Sequence, residues 1–219
     1  MNLIHNPMEN SAKRIAEFLL QIKAIKLQPS NPFTWASGWK SPIYCDNRKT
    51  LSFPEVRSYI RDSFAAMIKE LYPEAELIAG VATGAIPHGT LVADKMGLPF
   101  IYVRSEAKEH GLGNQIEGFY TKGQKVVVVE DLISTGGSSL NAVKALREAG
   151  CEVLGMVAIF TYEFKKASDS FEAAGCRFNT IGSYSSLIGT ALDAGYITDA
   201  DVETLKLWRT DPASWGVSK

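Results

Sequence analysis

The sequence predicts an α/β fold, with a mostly parallel central sheet, helices on both of its faces and a small N-terminal hairpin unit. Short β-branched runs alternate with helical patterns between residues 76 and 183, as they do in successive βαβ units. Residues 126–129 are four consecutive valines, which is typical of a strand that is buried on both faces. A turn of small residues and then a helical pattern follow this run directly, as expected for a parallel strand and its crossover helix.

The individual elements are predicted from local patterns. Residues 11–25 carry apolar side chains on one stripe at helical spacing, which predicts a first helix. Prolines then exclude a helix, and short strands are predicted at 33–35 and 43–45 around a Ser-Gly turn. The remaining predicted elements are helices at 53–71, 84–96, 138–149 and 164–174, strands at 76–81, 100–104, 125–130, 152–161 and 178–183, and a C-terminal helical region at 187–208 that is split near Gly195.

Length and composition indicate one globular domain. The chain has 219 residues, 46% of them hydrophobic and 21% charged, which is enough to bury a substantial core. Within a single domain of residues 1–219 we expect an N-terminal hood segment at about 1–50, a core sheet at about 75–185 and a long loop at about 105–123.

Charge and cysteine usage indicate which partners and which cellular compartment to expect. The net charge of -1 gives no general attraction to nucleic acid or to membrane surfaces. No run reaches the ~20 apolar residues that a membrane helix needs. The three cysteines form no C-x-x-C pair and come without a secretory signal, so we expect reduced thiols and a cytoplasmic protein.

Two acids and a loop of small residues follow the valine run. Glu130 and Asp131 are expected at the carboxyl end of this strand, where ligands bind in open α/β sheets. Glycines in the following loop let backbone N–H groups approach an anion, and hydroxyl groups add donors; the loop residues are Ser134, Thr135, Gly136, Gly137 and Ser138. Because carboxylates repel phosphate, the acids are expected to face neutral hydroxyls such as a ribose diol. The pattern therefore predicts a site for a sugar phosphate.

A purely structural interpretation of this segment stays open, because strand, acid, glycine turn and helix also occur as plain connections in α/β proteins. Two adjacent acids before five consecutive small donors favour the binding interpretation. No G-x-x-x-x-G-K-[ST] motif occurs, and no G-x-G-x-x-G motif follows a strand and opens a helix. A P-loop kinase and a dinucleotide-binding dehydrogenase are therefore disfavoured.

The loop at 105–123 is unusually long for a compact domain. Loops of this length are generally functional lids or disordered segments. Lys108 and His110 lie in it, and their charge favours a lid that closes over an anion.

These features together resemble the type I phosphoribosyltransferases. The fingerprint of that family is a hydrophobic strand ending in two acids, followed by a T-G-G-[ST]-like loop for the ribose phosphate of 5-phosphoribosyl-1-pyrophosphate (PRPP). Residues 102–118 are similar to the mobile catalytic loop of the members that act on orotate, with Arg104 and Lys108 at the expected spacing. Residues 33–44 are similar to the N-terminal segment of the same members, with Lys26 upstream.

The resemblance implies transfer of the phosphoribosyl group from PRPP to orotate, which gives orotidine 5′-monophosphate and pyrophosphate in UMP biosynthesis. It also implies Mg²⁺ as cofactor, held mainly by substrate and water, and a homodimer with shared active sites. The alternative activity is a phosphoribosyltransferase for another nucleobase. The alternative class is a regulator that binds PRPP and nucleic acid, but such a protein should carry a basic domain or face, which the near-neutral composition does not provide.

The resemblance assigns a role to each residue of the motifs. The catalytic residues would be Lys108, His110 and Asp131. PRPP would be bound by Arg104, Lys108, His110, Glu130 and Asp131, and by Leu132, Ile133, Ser134, Thr135, Gly136, Gly137 and Ser138. Orotate would be bound by Lys26, Tyr44, Cys45 and Ser134.

Three positions depart from the family pattern. Ser105 and Gly84 stand where some members carry lysines that contact pyrophosphate. Tyr162 stands where members carry an arginine for the carboxylate of orotate, so the sequence does not identify the residue that binds this group. His88, close to Gly84, is expected to be a helix-face or capping residue.

Overall fold

The computed structural model describes residues 7–35, 37–106 and 115–216. The helices are α1 (Pro7–Gln21), α2 (Pro54–Leu71), α3 (Ile86–Met96), α4 (Gly137–Glu148), α5 (Lys165–Ala173), α6 (Tyr184–Asp193) and α7 (Asp199–Thr210). The strands are β1 (Ile25–Leu27), β2 (Phe33–Thr34), β3 (Lys40–Ser41), β4 (Ile43–Cys45), β5 (Leu77–Val81), β6 (Phe100–Val103), β7 (Ile116–Glu117), β8 (Lys125–Ile133), β9 (Glu152–Thr161) and β10 (Phe178–Ser183). A 3₁₀-helix spans Asn47–Ser52. None of the helices in these ranges is both long and apolar enough to cross a membrane.

The central sheet has six strands in the order β10-β9-β8-β5-β6-β7. The first five of these run parallel, and β7 pairs antiparallel with β6 at one edge. All five residues of β5 are buried, and residues 126–129 of β8 are fully buried. The α/β fold predicted from the sequence, with a mostly parallel sheet, is therefore confirmed.

The helices cover both faces of the sheet. Glu130 and Asp131 are neighbours in β8, so their side chains point to opposite faces. Glu130 contacts Ser139 of α4, whereas the Asp131 carboxylate lies beside Gly84, just before α3. Hence α4 lies on one face and α3, with α2 packed against it, on the other.

The N-terminal segment forms two short antiparallel ribbons, and not the single hairpin suggested by the two predicted strands. β2 pairs with β3, while β4 pairs with β1, a strand that was not predicted and whose first residue had been placed in the first helix. The helix ends earlier because the backbone at Lys23 has a positive φ of 56°, which turns the chain out of the helix. Ile25, predicted as the last residue of that helix, is instead the first residue of β1.

The C-terminal helical region is divided as predicted, but it begins earlier. α6 starts at Tyr184, directly after β10, because Ser183 caps the helix by accepting a hydrogen bond from the backbone N–H of Ser186. Gly195, with a φ of +70°, lies in the connection to α7. The two predicted helical halves thus become α6 and α7.

An aromatic cluster joins α7 to the N-terminal ribbons and to the end of β9. Trp208 of α7 is fully buried, and its indole N–H donates to the carbonyl oxygen of Lys40 at 3.2 Å. Its ring centroid lies 5.6 Å from that of Trp35, 5.7 Å from that of Tyr162 and 5.3 Å from that of Phe164. Such packed aromatic pairs contribute beyond the area they bury.

Trp208→Ala should lower the free energy of unfolding by about 3–5 kcal/mol, because it removes a fully buried indole and leaves a cavity. The matched control is Leu207→Ala, since the neighbouring Leu207 is 67% exposed and its truncation should change stability by no more than about 0.5 kcal/mol. Urea denaturation at equal protein concentration measures both. Equal stability of the two variants would contradict the role given to this cluster.

Candidate active site at the carboxyl edge of the sheet

The two acids lie on an extension of β8 and not at its end. The sequence predicted that this strand ends at Glu130, but it continues to Ile133. β8 pairs with β5 only as far as Val129, whereas its pairing with β9 reaches Ile133 opposite Thr161. The partner strand β9 therefore keeps the extra residues extended, while β5 makes no pairs with β8 beyond Val129.

The Glu130 side chain points into the protein interior. It is 4% exposed, its Oε2 accepts a hydrogen bond from the Ser139 hydroxyl at 2.9 Å, and its Oε1 accepts one from the backbone N–H of Asp131 at 2.9 Å. Burial, and then the charge of Asp131, raises the pKa of Glu130 to about 8. Both oxygens of Glu130 are thus already engaged within the chain.

Asp131 faces the opposite side of the sheet and is partly exposed. Its carboxylate lies so close to Gly84 that a Cβ at that position would overlap it. Gly84 belongs to residues 82–85, the turn between β5 and α3, which contains a cis peptide bond between Ala82 and Thr83. The replacement of a family lysine by glycine therefore coincides with a close approach of Asp131 to this turn.

The predicted phosphate loop meets the start of α4. The helix begins at Gly137, one residue earlier than predicted, because Gly136 takes a positive φ of 85° as its N-cap. A Cβ on Gly136 would lie 3.1 Å from the ring of Phe171, whereas Gly137 borders open space. The first N–H groups of α4 have no partner within the helix, and such groups at a helix N-terminus can bind a phosphate.

The loop residues differ in what they can offer a ligand. Ser134 and Thr135 are partly exposed. Ile133 is fully buried, and its carbonyl oxygen accepts a hydrogen bond from the Tyr162 N–H at 3.2 Å. The side chain of Ile133, which the sequence placed among the PRPP-binding residues, therefore belongs to the core. Leu132 is also partly buried against that core.

The base of the predicted lid is held to the sheet edge. Arg104 follows β6, its backbone N–H donates to the carbonyl oxygen of Gln115 at 2.9 Å, and its guanidinium lies 3.7 Å from the Glu117 carboxylate. The Gln115 amide donates back to the Arg104 carbonyl oxygen at 2.7 Å, and Asn141 of α4 donates to the Ser105 carbonyl oxygen at 3.1 Å. Lys108 and His110 lie outside the described residues.

Three of the four predicted orotate residues lie on two faces of the β1–β4 ribbon, and the fourth, Ser134, lies in the loop after β8. Lys26 and Tyr44 are directly paired, so their side chains share one face, and both are exposed. Cys45 points to the other face, where its thiol donates to the Asn47 Oδ1 at 3.4 Å. The Asn47 amide in turn donates to the Asp131 carbonyl oxygen at 2.6 Å, which connects this ribbon to the acid pair.

Tyr162, the residue at the expected arginine position, is buried in the aromatic cluster around Trp208. Burial, and then the electrostatic effect of the neighbouring Cys45, raises the pKa of Tyr162 well above its usual range. The backbone at Glu163 then takes a positive φ of 56°, and the Glu163 carboxylate accepts hydrogen bonds from Ser185 and Arg209. These bonds fix the turn that directs Tyr162 towards the ribbon.

Sequence reasoning did not identify Asn47 as part of this region, and it gave His88 no role in the site. His88 lies in α3, as expected for a helix-face residue; it is 1% exposed, and its Nε2 lies 3.1 Å from the Thr50 hydroxyl. Its partner is 38 residues away in the chain, and the partner of Asn47 is 84 residues away. No local pattern could have indicated these contacts.

Glu130→Gln should flatten the pH dependence of stability. The carboxyl group loses its proton near its ordinary pKa of 4.5 in the unfolded chain, but the folded protein keeps this proton up to about pH 8. Between these values the folded state binds more protons, so the wild-type free energy of unfolding falls as pH rises. The slope of Tm between about pH 5 and pH 8 should be smaller in Glu130→Gln. It should be unchanged in Glu152→Gln, whose residue is exposed. Identical slopes in all three proteins would contradict the raised pKa.

Comparison with known proteins agrees with this geometry. The family model described as phosphoribosyl transferase domain matches residues 54–193. The orotate phosphoribosyltransferase of Bacteroides fragilis is 57% identical over 212 residues, which cover 97% of this chain and 100% of that protein.

Solved structures resemble the chain in fold. The UMP synthase of Leishmania donovani has a TM-score of 0.78 at 25% identity and matches 92% of this chain, which spans only 43% of that longer protein. The orotate phosphoribosyltransferase of Aeropyrum pernix has a TM-score of 0.73 at 27% identity, covering 84% of this chain and 99% of that one. The enzyme of Mycobacterium tuberculosis, solved in complex with PRPP, has a TM-score of 0.64 at 25% identity over 81% of this chain and 98% of that one. The family model and the Bacteroides relative each match more than half of the sequence, and the chain therefore belongs to the phosphoribosyltransferase family, among the orotate phosphoribosyltransferases.

Proposed function

We propose that the chain transfers the phosphoribosyl group of PRPP to orotate, which yields orotidine 5′-monophosphate and pyrophosphate for pyrimidine nucleotide synthesis. The observation that carries this proposal is the arrangement of groups at the carboxyl end of β8. There the Asp131 carboxylate lies beside the Gly84 turn, the N-terminus of α4 follows a few residues after β8, and the Asn47 amide connects the Asp131 carbonyl oxygen to the N-terminal ribbon. A sugar phosphate bound at this edge would present its anomeric carbon between the acid and that ribbon.

Each part of the donor has a counterpart at this edge. The 5′-phosphate would accept hydrogen bonds from the first N–H groups of α4 and from the loop hydroxyls; the residues are Ser134, Thr135, Gly136, Gly137 and Ser138. The ribose diol would bind to Asp131. The Glu130 carboxylate supports Asp131 by accepting a hydrogen bond from the Asp131 backbone N–H. Lys26, Tyr44, Cys45 and Ser134 would contact orotate.

The reaction separates charge, which explains the need for cations. Breaking the bond between the anomeric carbon and the pyrophosphate oxygen leaves positive charge on the ribose and negative charge on the leaving group. Cations that are already in place over pyrophosphate lower this barrier. Arg104, Lys108 and His110 would supply them, and Arg104 would exchange its present partner Glu117 for pyrophosphate.

Mg²⁺ fits this site as an ion held largely by substrate. Among the described residues, no group of three or more His, Cys, Asp or Glu side chains could enclose a metal. Asp131 would hold the ion, because both oxygens of Glu130 already accept hydrogen bonds. When bound, Mg²⁺ would neutralise pyrophosphate charge, and water would complete its coordination.

We also propose a cytoplasmic homodimer in which each lid serves the neighbouring site, as the family resemblance implies. Within the described residues, the two ends of the lid are held together at the sheet edge, because the Arg104 N–H donates to the Gln115 carbonyl oxygen and the Gln115 amide donates to the Arg104 carbonyl oxygen. This anchored base supports the assignment of the loop as a lid.

A direct assay tests the activity. Protein, Mg²⁺, PRPP and orotate are mixed, and the near-ultraviolet absorbance of orotate is followed as orotate is consumed. Uracil, adenine and hypoxanthine replace orotate in parallel reactions. Consumption of another base and not of orotate would favour the alternative, a phosphoribosyltransferase for a different nucleobase.

Lys108→Ala should lower turnover by on the order of 10² to 10³, the usual cost of one donor that stabilises developing negative charge. Orotate affinity should stay close to that of the wild type. Lys144→Ala is the matched control, because Lys144 is an exposed lysine of α4 that pairs only with Glu148 among the ion pairs of the described residues. Wild-type turnover in Lys108→Ala would refute the lid assignment.

Gly84→Ala should lower turnover by about 10-fold to 100-fold, because the new Cβ must displace the Asp131 carboxylate and small misplacements are costly at a reaction centre. Gly189→Ala is the control. Gly189 lies inside α6 with open space around its Cα, so alanine there should leave turnover unchanged and stabilise the helix by up to about 1 kcal/mol. Full activity of Gly84→Ala would show that the Asp131 position is not critical.

A further inference from the structure

A buried chain of hydrogen bonds runs from α3 to Asp131. Asn47, Thr50 and His88 are 2%, 0% and 1% exposed, respectively. The His88 Nε2 lies 3.1 Å from the Thr50 hydroxyl, and this hydroxyl donates to the Asn47 carbonyl oxygen at 2.5 Å. The Asn47 side-chain amide then donates to the Asp131 carbonyl oxygen at 2.6 Å. The side chains of His88, Thr50 and Asn47 thus link α3 to the backbone of Asp131.

The direction of each bond in this chain is fixed. The single proton of the Thr50 hydroxyl is used for the Asn47 carbonyl oxygen, so this hydroxyl must accept from the Nε2–H of His88. The imidazole is then neutral with its proton on Nε2, and Nδ1 is a bare acceptor, which finds no hydrogen-bond partner among the described residues. Burial agrees with a neutral ring, because it lowers the pKa of His88 to about 4. The whole chain therefore donates towards Asp131.

Asp131 is consequently held at three points. Its N–H donates to Glu130, its carbonyl oxygen accepts from Asn47, and its carboxylate rests beside Gly84. Glu130 and Gly84 belong to the sheet edge, whereas Asn47 comes from the N-terminal segment. Asn47 also accepts a hydrogen bond from the Cys45 thiol in the ribbon. Asn47 thus contacts both Cys45, on the proposed orotate side, and Asp131, on the proposed PRPP side.

We propose that Asn47 is a positioning residue for Asp131. By fixing the Asp131 carbonyl oxygen, the Asn47 amide fixes the peptide plane after Asp131 and with it the direction in which the carboxylate leaves the strand. Thr50, which is bonded in turn to His88, holds the backbone carbonyl oxygen of Asn47 and so the position of this residue. This inference rests on the proposed function, because it assigns Asn47 to the ribose end of the PRPP site.

Single variants provide the first test. Asn47→Ala should lower kcat on the order of tenfold to a hundredfold, as loss of a hydrogen bond that supports a ligating group does. The KM for PRPP should change by less than about threefold, because the phosphate contacts are untouched. Asn179→Ala, which removes a partly buried asparagine from the body of β10, is the control and should keep wild-type kcat. A purely structural Asn47 would instead lower Tm in the variant and leave kcat per folded molecule intact.

A double-mutant cycle provides the decisive test. If Asn47 acts through Asp131, Asn47→Ala should cost no more than about twofold in kcat when Asp131→Asn is already present. The same tenfold or larger loss in both backgrounds would overturn the proposal. Asn47→Ser, which keeps a polar side chain, replaces Asn47→Ala if that variant does not fold, and failure of both to fold would also overturn it. An inactive wild-type protein would refute the proposed function, whereas an additive cycle in an active enzyme refutes only this inference.

Discussion

The site depends on the fact that β8 extends beyond β5 at the carboxyl edge of the sheet. Pairing with β5 stops at Val129, but pairing with β9 keeps the chain extended to Ile133. Extended backbone alternates its side chains, so consecutive acids are sent to opposite faces. A strand that ended with the last β5 pair would have left both carboxylates in a turn, and the sheet would fix neither the contact of Glu130 with α4 nor that of Asp131 with the Gly84 turn.

This separation gives two identical functional groups different chemistry. Glu130 is buried and has a raised pKa, and its two carboxylate oxygens accept hydrogen bonds from Ser139 and from the backbone N–H of Asp131. Asp131 is partly exposed beside Gly84, and its backbone both donates a hydrogen bond to Glu130 and accepts one from Asn47. A cation bound beside the pair would favour the ionised form of Glu130. If the donor binds with Mg²⁺ as proposed, its binding would therefore be linked to release of a proton from Glu130.

Local patterns predicted the elements, and long-range contacts decided the details. The valine run and the small-residue loop were sufficient to predict β8, its acids and α4, because each signal lies within a few consecutive residues. The extension to Ile133 was not predictable, since it requires Thr161 of β9 as a partner. Asn47 and His88 were missed for the same reason. The family resemblance supplied the roles of Lys108 and His110, which stay predictions.

The short strand β7 has a consequence for how copies of the chain can associate. It occupies the hydrogen-bonding edge of β6 with only two residues, Ile116 and Glu117. Very short edge strands of this kind leave little backbone ladder for a further chain to continue. Growth of the sheet from one molecule into the next is thereby discouraged at this edge, and contacts between molecules there must be made by side-chain surfaces.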